Sequence, residues 1–193
     1  DIAQSQTGYR FSMEPFLLAD FIRPKANDRV LEVGTGCAII SLLLLTRQPN
    51  LNIKALEIQQ TLYSQAKLNL AKNDAEDRVT LLHVDFMQWQ KTESAGFDWV
   101  VSNPPYRKQG HGRINPNLEK ALARHEIALT LADLVEKGTR QLAPSGHMAL
   151  AYPVERHQEF ITELGRNGLS LKHLKWVAGR EDTEPRFFLA LAG

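Results

Sequence analysis

Short runs rich in Val and Ile alternate along this chain with longer segments of helical period, and that alternation restricts the fold more than any other feature. Strands alternating with helices need crossover connections, which build a mostly parallel sheet with helices on both faces. The runs Val30–Gly34, Ile53–Ile58, Val79–Val84, Phe97–Ser102 and Met148–Tyr152 are therefore predicted as successive strands. Between them, Cys37–Arg47 and Thr61–Asn73 are predicted as helices, the second with Leu62, Ala66 and Leu70 on one face. Leu118–Leu142 reads as a further helix, and Glu155–Asn167 as one that stops at Gly168. Leu169–Val177 and Phe187–Leu191 read as two closing strands paired with each other, while Pro105–Pro116 has no apolar period and reads as a functional loop. The expected class is α/β, and 193 residues without a repeat or dividing linker fit one domain over residues 1–193.

The turn after the first strand, Glu32-Val33-Gly34-Thr35-Gly36-Cys37-Ala38, places two glycines where a backbone can bend tightly and come close to a ligand at a helix N-terminus. Gly34 and Gly36 are followed by Ala38 and by no third glycine, so the turn departs from the dinucleotide pattern and a pyrophosphate is weakly supported. Glu32 would repel phosphate but suits an ammonium group or a bound water. Glu57, at the end of the second strand, stands where such sites place a carboxylate on ribose hydroxyls. Asp85 closes the third strand and suits an adenine amino group. An adenosine with a cationic amino-acid tail satisfies all three carboxylates, which points to S-adenosylmethionine. Glu57 or Asp85 alone is equally well read as an exposed strand-end charge.

Asn103-Pro104-Pro105-Tyr106 follows directly on the fourth strand, at the carboxyl edge where open α/β sheets bind ligands. Paired prolines stiffen the backbone and carry no donor, so their carbonyls stay available. With the Asn103 amide oxygen they suit a planar NH2 group, whose nitrogen becomes a better nucleophile as its hydrogens are accepted. Tyr106 suits stacking on an extruded base. A plain strand-ending turn is the competing reading.

These residues resemble the class I S-adenosylmethionine-dependent methyltransferases that carry an Asn-Pro-Pro-Tyr motif. Within them the chain is similar to the bacterial tRNA(Val) adenine-N6 methyltransferase family. That closer resemblance rests on Gln4 with Gly8-Tyr9-Arg10-Phe11-Ser12, on Leu31 to Gly36, on Asn103 to Tyr106 and on Ala123-Arg124-His125-Glu126. It implies a seven-stranded sheet with an antiparallel last strand. It also implies cofactor contacts from Tyr9, Arg10, Phe11, Glu32, Gly34, Gly36, Glu57, Asp85, Phe86 and Asn103, with Asn103, Pro104, Pro105 and Tyr106 at the target base. Ala38 stands where the family commonly has glycine, a departure read as a single added methyl, and the family continues beyond both ends of this segment.

The charge total decides little, because 23 Lys and Arg against 22 Asp and Glu leave +1 overall. Locally, Arg107, Lys108, Arg113, Lys120 and Arg124 against Glu119 make a basic lip beside the target motif, and an RNA, most simply a tRNA, is the expected partner. A second basic stretch, Lys172, His173, Lys175 and Arg180, contains Trp176, which is expected to pack on the core rather than stack on a base. Scattered histidines, with His83 and His147 expected in or beside strands, and a lone Cys37 give no metal-ligand spacing, so no metal is expected. Cys37 is expected to be a packing residue. The longest apolar run, Ile39–Leu45 with Ser41 inside it, falls far short of the roughly 20 residues of a membrane span. Without an export signal, a cytoplasmic location is expected. Both ends, Asp1 and Gly193, read as cut points in a longer protein. The rival readings are a methyltransferase of protein glutamine or DNA adenine, a nucleotide- or RNA-binding module without catalysis, and, less well matched, an NAD oxidoreductase.

Overall fold

The computed structural model describes residues 2–4, 11–90, 96–104, 129–180 and 182–193. Its strands are β1 (Arg29–Val33), β2 (Asn52–Glu57), β3 (Val79–His83), β4 (Phe97–Ser102), β5 (Leu142–Pro153), β6 (Leu171–Val177) and β7 (Phe187–Ala192). They form one sheet in the order β3-β2-β1-β4-β5-β7-β6. β1 to β5 pair in parallel, and β7 runs antiparallel to both β5 and β6, so β6 points the same way as β1 to β5. This is the seven-stranded α/β sheet with an antiparallel last strand that the resemblance implied.

Alternation along each strand sends side chains to two faces, and both are apolar. Val30, Ala55, Val101 and Leu189 pack on one face against α1 (Glu14–Phe21), α2 (Ile39–Arg47) and α3 (Gln60–Lys72). Leu31, Leu56, Val100 and Phe188 pack on the other against α4 (Leu131–Gln141) and α5 (His157–Arg166).

Three elements differ from expectation. α1 was not foreseen, because its eight residues hold an apolar run too short to show a period; Leu18 and Ala19 bury against the sheet, and Pro15 suits its first turn. Of the helix expected over Leu118–Leu142, residues 118–128 lie outside the described residues, and α4 occupies Leu131–Gln141. Thr130 is extended at ψ 164° and forms a capping box with Asp133, which starts α4 at Leu131. β5 starts at Leu142 rather than Met148. Through Pro144-Ser145-Gly146 the chain stays in the sheet by a register shift opposite Phe97 and Trp99. Gly146 permits this, since a Cβ there would lie 2.6 Å from the Phe97 carbonyl oxygen.

Candidate functional site

The carboxyl ends of β3, β2, β1 and β4 are neighbours, and the backbone locks them into one edge. Gly34 N and Thr35 N both donate to Leu56 O at 3.0 Å, and Val84 N donates to Glu57 O at 2.9 Å. Ser102 Oγ donates to Val33 O at 2.7 Å across the β1–β4 pair, setting Asn103 beside the glycine turn. Asn103 is half-buried and Pro104 buried.

Gly34 and Gly36 adopt φ of +70° and +62°, the left-handed region that favours glycine, and a Cβ on either would meet nothing within 4 Å. The turn therefore curves around open space. Ala38 also takes a left-handed conformation, φ 65°, just before α2. The glycine common at this position in the resembling family thus relates to backbone conformation, and alanine costs about 1 kcal/mol there rather than merely adding a methyl.

The carboxylates differ in how they are held. Glu57 accepts from Gly36 N at 2.8 Å and from Gln59 N at 2.8 Å. It is 4% exposed, and burial raises its pKa against the opposing pull of those amides. Asp85 accepts from Met87 N at 2.8 Å, folding the segment after β3 back on itself. Lys137 Nζ of α4 donates to Met87 O at 2.7 Å and sits 5.3 Å from the Phe86 ring. Burial lowers the Lys137 pKa, and the charge of Asp85 opposes that shift. The Phe86 ring is 5% exposed and stacks near Trp89, so it is turned into the core.

Glu32 lies deeper than a strand-end acid. It is 1% exposed in β1, and Oε2 accepts from Ser41 N at 3.1 Å and from Ser41 Oγ. Its Oε1 and the Thr35 hydroxyl are buried without a partner. Desolvation pushes the Glu32 pKa from 4.5 up to about 7, with the Ser41 hydroxyl and then the nearby Thr35 hydroxyl pulling the other way. The folded chain then holds a proton that the unfolded chain gives up, so stability is full below pH 4.5 and falls as pH rises through about 7. Melting temperatures between pH 4.5 and pH 8 should show wild type losing about 3 kcal/mol more than Glu32→Gln. Parallel curves for the two proteins would overturn this assignment.

Asn69 and Ser41 carry no motif and were not singled out in the sequence. Asn69 is fully buried on α3; it accepts from Ala3 N at 2.6 Å and donates to Ala3 O and Cys37 O, both at 3.0 Å. It ties the stretch 2–4 to the glycine turn. An amide within the apolar stripe Leu62, Ala66 and Leu70 was the available signal. Cys37 is 5% exposed, and burial, reinforced by Glu32, pushes its thiol up to about 12, as suits a packing residue and not a nucleophile. Phe11 packs partly buried on the core, edge-on to Phe16 at 5.5 Å.

His83 and His147 lie on strands as expected, His147 with its ring 5.1 Å from Trp99. Trp176 differs: it is 44% exposed, not packed away. Tyr9, Arg10, Pro105, Tyr106, Arg107, Lys108, Arg113, Lys120 and Arg124 lie outside the described residues. Among the described residues no group of three His, Cys, Asp or Glu comes together to hold a metal, and no helix is long and apolar enough to cross a membrane.

Residues 15–158 match the model of the methyltransferase small domain family. A tRNA1(Val) (adenine(37)-N6)-methyltransferase from Parabacteroides distasonis is 30% identical over 90% of this chain and 72% of its own length. One of the same description from Tolumonas auensis is 27% identical over 98% of this chain and 78% of its own. Among solved structures, precorrin-6y C5,15-methyltransferase from Geobacter metallireducens superposes with a TM-score of 0.69 at 16% identity, covering 100% of this chain and 94% of that one. At that identity the likeness speaks for the fold alone.

Proposed function

Since the chain belongs to the methyltransferase small domain family, we propose that it transfers a methyl group from S-adenosylmethionine to the exocyclic N6 amino group of an adenine in RNA, with a tRNA as substrate. The observation that carries this reading is the Ser102–Val33 bond, which sets Asn103 and the start of the Asn-Pro-Pro-Tyr motif against the glycine turn.

The described residues fit the cofactor. Open space at Gly34 and Gly36 leaves room for it. Glu32 Oε1 and Thr35 Oγ1 are buried and make no ordinary hydrogen bond to another described residue, which leaves acceptor capacity for a methionine ammonium group. Each Glu57 oxygen accepts one backbone N–H and keeps a lone pair for a ribose hydroxyl. Asp85 has its second oxygen left for the adenine amino group. Tyr9, Arg10, Phe11 and Phe86 are the further cofactor contacts of this reading.

When bound, S-adenosylmethionine supplies an electrophilic methyl group on a sulfonium. Asn103 Oδ1 and the Pro104 carbonyl accept the N6 hydrogens, which orients the amine and returns electron density to a nitrogen otherwise conjugated into the ring. Pro105 stiffens the acceptor backbone, and Tyr106 stacks on the base. The N–CH3 bond would form as the sulfonium S–CH3 bond breaks with its electron pair kept by the thioether of S-adenosylhomocysteine, and the surplus proton would leave the nitrogen for water. Arg107, Lys108, Arg113 and Arg124 neutralise phosphates, which makes RNA affinity fall steeply with salt.

Incubation with labelled cofactor and total tRNA from cells lacking the gene should place label in N6-methyladenine. Label confined to protein glutamine or to DNA would sink the reading, and cofactor binding with no transfer to any acceptor would mark a binding module instead.

A further inference from the structure

We infer that the carboxyl end of β6 is a second RNA contact, in which Trp176 stacks on an unpaired base close to the target nucleotide; this rests on the RNA methyltransferase reading above. The sheet register carries the placement. Ser102 of β4 lies beside Leu150 of β5, and two residues further along β5 Tyr152 lies beside Phe188, which lies beside Trp176. The row through Trp176 is therefore level with Pro104, three strand spacings or about 14 Å away. Because β6 runs parallel to β4, both ends open on the same edge of the sheet. A few nucleotides of splayed-out RNA bridge that gap.

The indole is held from one side only. Its ring centroid lies 4.9 Å from that of His157 and 5.8 Å from that of Phe188, while 44% of the residue stays exposed. The other tryptophans, Trp89 and Trp99, are buried at 8% and 7%. Lys172, Lys175, Arg180 and Arg186 are exposed on β6 and its flanks, as are Asp182, Glu184 and Glu155. Glu181 also belongs to this segment, so its cations and acids balance, and ring stacking supplies the affinity while the lysines steer the backbone. Lysines on an open edge strand also deter strand addition, but an exposed indole works against that purpose by offering apolar area to a partner.

Titration of the protein with its tRNA substrate, followed by tryptophan fluorescence, and steady-state kinetics on Trp176→Ala and Trp176→Phe test this contact. RNA should quench wild-type emission, and the quench should vanish in both variants. Trp176→Ala should raise the KM for tRNA about ten-fold, with kcat and cofactor affinity within two-fold of wild type. Trp176→Phe, which retains a ring, should recover much of the KM. An unchanged KM in Trp176→Ala, with wild type methylating tRNA, overturns the inference. So does a shift in sedimentation from dimer to monomer without loss of RNA affinity, which would make this edge a contact between copies. A wild type that methylates no RNA overturns the underlying reading as well, and does so before any variant is made.

Discussion

Asn103→Ala should lower kcat by about 10³-fold while leaving the affinity for S-adenosylhomocysteine within a few-fold of wild type. The expectation follows from where Asn103 stands. It is the first residue past β4, whose end is fastened to β1 by Ser102 Oγ donating to Val33 O at 2.7 Å, so among the described residues removing its amide leaves the bonds of the edge in place. What is lost is an acceptor for the N6 hydrogens, and losing one preorganised polar group of this kind costs about 10²–10³-fold in rate. Single-turnover kinetics at saturating tRNA and cofactor, with isothermal titration of S-adenosylhomocysteine, separate the two quantities. Collapse of cofactor affinity would move Asn103 from the target base to the cofactor.

Glu57→Ala should weaken S-adenosylhomocysteine binding about 100-fold, with much of kcat recovered at saturating cofactor. Its carboxylate fastens the glycine turn through Gly36 N and Gln59 N at 2.8 Å each and holds lone pairs for the ribose. Charge-assisted bonds of this type contribute about 1.5–3 kcal/mol each, and their loss also leaves buried donors unpaired. Glu57→Gln keeps acceptor capacity on one side and should fall between wild type and Glu57→Ala. Burial raises the Glu57 pKa, so a growing fraction is protonated as pH falls, and cofactor affinity in wild type should fall with it. Unchanged affinity in Glu57→Ala, with an unchanged melting temperature, would remove Glu57 from the site.

Much of this was legible in the sequence because its signals are local. Val30–Gly34 and Phe97–Ser102 are apolar runs of strand length, and β1 and β4 occupy Arg29–Val33 and Phe97–Ser102. Glycines at 34 and 36 and prolines after Asn103 announce backbone chemistry that no distant neighbour can change. A turn and a motif at successive strand ends of an α/β chain necessarily meet on one edge, so the site followed from the fold class.

Other features depended on neighbours far along the chain. Glu32 sits within β1, but only its position under α2, with Ser41 as partner, makes its carboxyl a buried group with a raised pKa. Asn69 owes its role to the main chain of Ala3 and Cys37, 66 and 32 residues away. Trp176 is exposed on β6, the last strand in the order with no neighbour beyond it among the described residues, and strand order is not written in the period of any one strand. Sequence alone determined which backbone could form the site, since glycine, proline and apolar period act within a few residues. Tertiary structure decided which polar and aromatic side chains are buried, fastened or left open, since burial is set by what packs against a residue from elsewhere in the chain.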